Sequence, residues 1–109
     1  MENRIIERDE WKREFDELWR RMEGKNILIE VEGLHLGDQI EAEHVELKGL
    51  SYDPKDDVVQ VWVGPLDHMI HHPKQIALAV EHGYLLAIDI TDAEGNQHLI
   101  KPQQRVKLD

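Results

Sequence analysis

Cysteine is absent from the chain, which excludes disulfide scaffolds, thiolate zinc sites, iron–sulfur ligation and thiol nucleophiles. Serine is nearly absent as well. Ser51 is the only one, and no histidine and aspartate flank it at a spacing that suggests a hydrolase triad. No apolar run approaches the roughly 18 residues that span a bilayer. The opening Met1-Glu2-Asn3-Arg4 leads into charge rather than into the apolar stretch of a secretory signal. A reducing, cytoplasmic setting without a membrane partner is the expectation. Positive charge is also scarce, with 13 basic against 23 acidic residues and a formal net charge of −10.

What remains is 109 residues, 40% hydrophobic and 33% charged, which suits one folded domain over 1–109 with a heavily charged surface. The charge is uneven. Residues 25–57 hold three basic and nine acidic groups and form the acidic pole. Binding to a phosphate backbone needs clustered lysine or arginine, so nucleic acid is not an expected partner.

Trp11, Phe15, Leu18, Trp19 and Met22 fall on one face of a helix over about 9–23, opposite Lys12, Arg13, Asp16 and Glu17. Asp9 suits the N-cap and Gly24 the C-terminal stop. The period then changes to two. Ile27, Ile29 and Val31 share a strand face, and Gly33 and Gly37 bracket Leu34-His35-Leu36. Residues 40–47 read as a strand whose pattern slips, and a bulge near Glu43-His44 would bring Ile40, Ala42, Val45 and Leu47 to one side. Asp53-Pro54-Lys55-Asp56 is a turn between Leu50-Ser51-Tyr52 and the apolar strand 58–63. Residues 66–72 read as a connector with one helical turn. A hairpin at Glu81-His82-Gly83-Tyr84 joins strands 76–80 and 85–90, and a last strand lies within 97–101. A loose polar tail covers 102–109. The predicted class is α+β: an N-terminal amphipathic helix packed on a bent, even barrel-like, antiparallel sheet of about five to six strands within 26–101.

In a helical turn over 66–72, His68 and His72 stand at i and i+4 and His71 at i+3, with Asp67 as an oxygen donor. That spacing can hold a divalent metal. Pro73 opposes a helical His72, and seven histidines in the chain make some clustering expected by chance. A metal hydrolase also needs a general base; Glu81 and Asp89 are available in the sequence, but nothing places either beside the cluster. The carboxylates Glu41, Glu43, Asp53, Asp56 and Asp57 read as a solvated strand face and a turn, without the spacing of an EF-hand. Gly33 and Gly37 lack the surroundings of a phosphate-binding loop. Trp62 alternates away from Val59, Val61 and Val63 and so faces either a closed core or a contact surface.

Three segments, Leu36-Gly37-Asp38-Gln39-Ile40-Glu41-Ala42-Glu43, Tyr52-Asp53-Pro54-Lys55-Asp56-Asp57 and Asp67-His68-Met69-Ile70-His71-His72-Pro73, resemble, together with Trp11, a family of small bacterial proteins classed as a domain of unknown function. The resemblance runs from about Trp11 to Ile100. It implies one domain and no particular activity. The helix-then-strands plan is also similar to that of Sm-like RNA-binding barrels, which the charge disfavours. The function expected from the residues is a non-catalytic protein-interaction or adaptor domain without a cofactor, its partner a protein or its own copy. Its contact surface would be Trp62, Leu66, His68 and His71. The alternative is a divalent-metal binder or metal-dependent hydrolase using His68 and His72.

Overall fold

A computed structural model describes residues 1–33 and 37–108. The helical stripe forms α1, Trp11–Met22, and buries Trp11, Phe15, Leu18 and Met22. Burying such side chains contributes about 2 kcal/mol each. A 3-10 turn, Arg8–Glu10, precedes it and contains Asp9, so the expected Asp9 cap is replaced. Glu10 is the N-cap and makes no side-chain capping bond. The helix start is instead fixed by Trp11, whose Nε1–H donates to the Ile6 carbonyl at 2.9 Å while the Arg8 guanidinium lies over the indole. Gly24 ends the helix at φ 76°, as its position predicted.

Nine strands among the described residues make two antiparallel sheets. They are β1 Glu2–Ile6, β2 Asn26–Gly33, β3 Gly37–Glu46, β4 Gly49–Asp53, β5 Val58–Trp62, β6 Asp67–His71, β7 Pro73–Glu81, β8 Tyr84–Asp92 and β9 Gln97–Pro102. The order is β1-β7-β8-β9-β2-β3 in the large sheet and β4-β5-β6 in the small one. The α+β class holds. The sheets are separate, however, and do not close into a barrel, so the Sm-like plan is not matched. The inner faces bury Ile27, Ile29, Ile76, Ile88, Ile90 and Ile100 from the large sheet and Leu50, Val59, Val61 and Ile70 from the small one. The helix lies against β4, where Trp11 meets Tyr52 edge to face at 5.2 Å. Among the described residues no helix is long and apolar enough to cross a membrane.

Three sequence expectations change. Residues 67–71 form a strand, not a helical turn, because pairing with β5 satisfies their backbone and Ile70 reaches the core. β1 was not foreseen; it pairs with β7 and sends only Ile6 inward. The tail is tied down, since Val106 is buried, its carbonyl accepts from Leu85 N–H at 2.9 Å, and Lys107 bridges Tyr84.

The bulge expected near Glu43-His44 is present. Ile27 and Ile29 of β2 face Val45 and Ala42 of β3, so the extra residue falls at 43–44, where His44 has φ 54°. A second irregularity skips Glu41 and pairs Glu30 with Ile40. Ala42, Val45 and Leu47 therefore pack inward while Ile40 stays 59% exposed, so only three of the four expected residues share the core side. Leu34, His35 and Leu36 lie outside the described residues. The β7–β8 hairpin is as expected: His82 and Gly83, at φ 52° and 81°, make the two-residue turn whose twist matches its strands.

Trp62 belongs half to the core. Its indole lies over Gly49, where an added Cβ would collide with Trp62 Cε3. Gly49→Ala should therefore destabilise the fold by about 1–3 kcal/mol through overpacking. The expected readout is a lower urea midpoint at unchanged slope. A wild-type midpoint would mean that the indole swings aside without cost.

Candidate functional site

The residues of β9 alternate, and the inward set is His98 and Ile100. His98 is paired with Ile90 on one side and Val31 on the other and is 8% exposed. A buried imidazole between two isoleucine and valine rows requires hydrogen-bond partners. It has two. Its Nε2 lies 2.9 Å from Asp92 Oδ2, and its Nδ1 lies 2.9 Å from His68 Nε2, across the gap between the sheets.

Asp92 is held by the turn it begins, where its Oδ1 accepts from the backbone N–H of Glu94 at 2.9 Å and of Asn96 at 3.0 Å. Burial alone would raise its pKa, but the His98 bond and these two backbone donors outweigh burial and keep the carboxyl below its ordinary value. An ionised carboxylate only accepts, so His98 Nε2 carries the hydrogen. In the neutral pair His98 Nδ1 is then an acceptor, His68 Nε2–H donates to it, and His68 Nδ1 is left with a free lone pair. Among the described residues no side chain or backbone group bonds that nitrogen. Burial first, and then the nearby positive charge on His98 when it is protonated, lowers the His68 pKa, while Glu41 acts in the opposite direction.

His68 lines a pocket of about 310 Å³ at the open end between the sheets. Its apolar wall is Ile29 of β2, Ala42 and Val45 of β3, and Val63, Pro65 and Leu66 of the β5–β6 connection. Its charged residues are Glu41 and, at the rim, Asp67. The two irregularities in β3 determine this shape, because they let Ala42 and Val45 turn inward on either side of the extra residues. Two larger hollows of about 410 and 380 Å³ border the β7–β8 hairpin, and neither is lined by a member of the Asp92–His98–His68 chain.

The histidines singled out from the sequence separate in space. On a strand, residues four apart are about 13 Å apart along the chain direction, so the i and i+4 reasoning for His68 and His72 does not hold. His68 faces inward with Ile70, whereas Asp67, Met69 and His71 are paired with the opposite set, Trp62, Gln60 and Val58. His72 leaves the strand at φ 53° and sits 3.4 Å from Asp57 Oδ2. Asp57 also accepts from Tyr52 Oη at 2.7 Å and faces Arg8 at 3.4 Å, so it fastens the turn to the helix start. Asp53 caps Lys55 N–H, and Asp56 is exposed in the same turn. Glu43 lies 3.7 Å from His44 at the surface. Asp89 accepts from Gln97 on the outer face and Glu81 is exposed at the hairpin, so neither joins His68. A different carboxylate group, Glu30, Glu32 and Asp38, clusters at the β2–β3 end. The adjacent Asp38, more than burial, raises the Glu32 pKa, and Lys101 bonds Glu30 at 2.9 Å. Sequence reasoning missed His98 and Asp92. The available signal was a histidine sharing the inward parity of Ile100, six residues after a turn aspartate.

A family model described as a family of unknown function, DUF5335, matches residues 2–109. The chain belongs to this family. A protein of Aquifex aeolicus (strain VF5) that carries the name "Uncharacterized protein" is 35% identical over 109 residues, spanning 99% of this chain and 98% of its own. No solved structure matches the chain. The resemblance read from Trp11 and the three segments thus corresponds to family membership that extends to both ends.

The depressed His68 pKa has a consequence for stability. The unfolded chain binds this proton near the ordinary value of 6.5, above the pH at which the folded site accepts it. The contribution is complete above 6.5 and is lost as pH falls from there through the folded value. Urea midpoints should therefore drop between pH 7.5 and 5.5, and His68→Asn should flatten that drop. Equal slopes in the two proteins would contradict the assignment.

Proposed function

We propose that the domain binds a small ligand in the pocket beside His68, with His68 Nδ1 accepting a hydrogen bond or a proton from it. The observation that supports this reading most is the Asp92–His98–His68 chain, which ends at the pocket wall. An apolar hollow of this volume with a few convergent polar groups has the form of a ligand site. A buried titratable group with a specific charged partner beside it points the same way. The chain orients the ring and fixes the nitrogen it offers, as a carboxylate does for a catalytic imidazole. The lining contains no hydroxyl, thiol or amine nucleophile. The group that the hydrogen-bonded chain positions for chemistry is His68, as a general base.

Benzyl alcohol, an apolar ring with one hydroxyl donor, is a suitable probe. Its binding, on the order of millimolar for so few atoms, should move the methyl resonances of Ile29, Val45 and Val63 and the ring signals of His68. Ala42→Trp should abolish those shifts while thermal unfolding remains cooperative. Shifts confined to the hairpin hollows, or none at all, would remove this reading.

A second reading, contact with a protein partner or another copy of the chain, is favoured by a different surface. Trp62, Met69 and His71 share the outer face of the small sheet, and Leu66 beside it is 72% exposed. Met69 packs less tightly than Trp62, so Met69→Asp tests the surface with little risk to the fold. If the surface joins two copies, wild-type protein sediments as a dimer at about 100 μM and the variant as a monomer, as expected for an apolar contact interrupted by charge. Monomeric sedimentation of both would exclude self-association.

A further inference from the structure

We infer that the ligand of the His68 pocket is a small primary amine carrying an apolar body; this rests on the ligand-binding reading above. Three features of the pocket select for that class. Its charged residues are both acidic, Glu41 on the side of His68 and Asp67 at the rim on the opposite strand face, and no lysine or arginine is among its lining residues. Neither carboxylate makes an ion pair within the described residues, although Glu10, Asp16, Glu17 and Glu30 each have one. The hydrogen-bond chain leaves His68 with an acceptor nitrogen and no donor to offer, so the matching ligand atom must bring its own hydrogen.

A protonated amine meets all three conditions. One N–H donates to His68 Nδ1, the positive charge lies in the field of Glu41 and, farther off at the rim, Asp67, and the apolar body occupies the wall formed by Ile29, Ala42, Val45 and Val63. An anionic ligand of equal size meets two like charges and an imidazole without a free N–H. A neutral alcohol satisfies the imidazole but gains nothing from the carboxylates. The surrounding chain has the same bias, since residues 25–57, which supply Ile29, Glu41, Ala42 and Val45 of the lining, hold nine acidic and three basic groups.

Benzylamine, benzyl alcohol and benzoate share one ring and differ in charge, so they separate the contributions. In titrations of the full chain at pH 7.5 followed by the Val63 and His68 resonances, benzylamine should bind about fivefold more tightly than benzyl alcohol. That is the scale expected of partly solvated charge interactions at a rim. Benzoate should bind more weakly than either. The preference should shrink in 0.5 M salt. The exposed pair Glu41→Gln and Asp67→Asn, which should not disturb the core, should bring benzylamine and benzyl alcohol to equal affinity. Equal binding of all three probes to wild-type protein would overturn the amine assignment and leave the pocket standing. Failure of all three to shift the pocket resonances would overturn the pocket itself.

Discussion

The bond between Asp92 and His98 is the constraint on which the site depends. Leaving a buried imidazole unpaired costs about 1–3 kcal/mol, so β9 can present His98 inward only if something meets both ring nitrogens. Asp92 meets one, and it does so because the turn that joins β8 to β9 holds its other carboxylate oxygen with two backbone N–H groups. His68 meets the second from the opposite sheet. A short turn, one strand of the large sheet and one strand of the small sheet are thereby tied by a single polar path through an otherwise apolar interior. The two sheets pack by burial, which is non-directional; the path fixes which residues stand opposite each other where it crosses.

The pocket exists because β3 is irregular. A regular strand pairing with β2 would alternate inward and outward residues without interruption and would close the end of the interior with side chains of one spacing. The extra residues at Glu41 and at 43–44 break that spacing and leave Ala42, a small side chain, opposite Ile29. The same irregularities lie on an edge strand, where bulges also discourage pairing with a foreign strand. One local feature therefore shapes the hollow and protects the edge. His44, held at φ 54°, is where the backbone bears the cost.

Much of this was legible in the sequence, for definite reasons. The helix showed in its apolar period, the β7–β8 turn in His82-Gly83, and the bulge in the slip between Ala42 and Val45. Family resemblance was likewise visible in three short segments. What escaped were elements without a repeating signal. β1 contributes one buried residue and β6 chiefly Ile70, so neither has a pattern to detect, and the spacing of His68 and His72 imitates a helix in a segment that pairs as a strand. The site escaped because it is made by tertiary pairing. His68 was marked, but as the partner of His72, four residues away, and the residue that completes it is His98, thirty residues away on the other sheet.

The electrostatics of the site follow from an imbalance between depth and rim. Glu41 at the exposed edge favours a proton on His68, yet burial and the neighbouring imidazole oppose it more strongly, and the net direction is toward the neutral ring. The protein therefore does not discharge its own acidic rim by protonating the histidine beneath it. The negative potential of Glu41 and Asp67 remains at the entrance and the lone pair of His68 remains below. Electrostatic attraction draws in cations and repels anions before any contact is made, and the lone pair then distinguishes cations that can donate a hydrogen bond from those that cannot. Each selection is carried by a different part of the pocket: the first by exposed residues of β3 and the β6 start, which salt can screen, and the second by the buried Asp92–His98–His68 path, which it cannot.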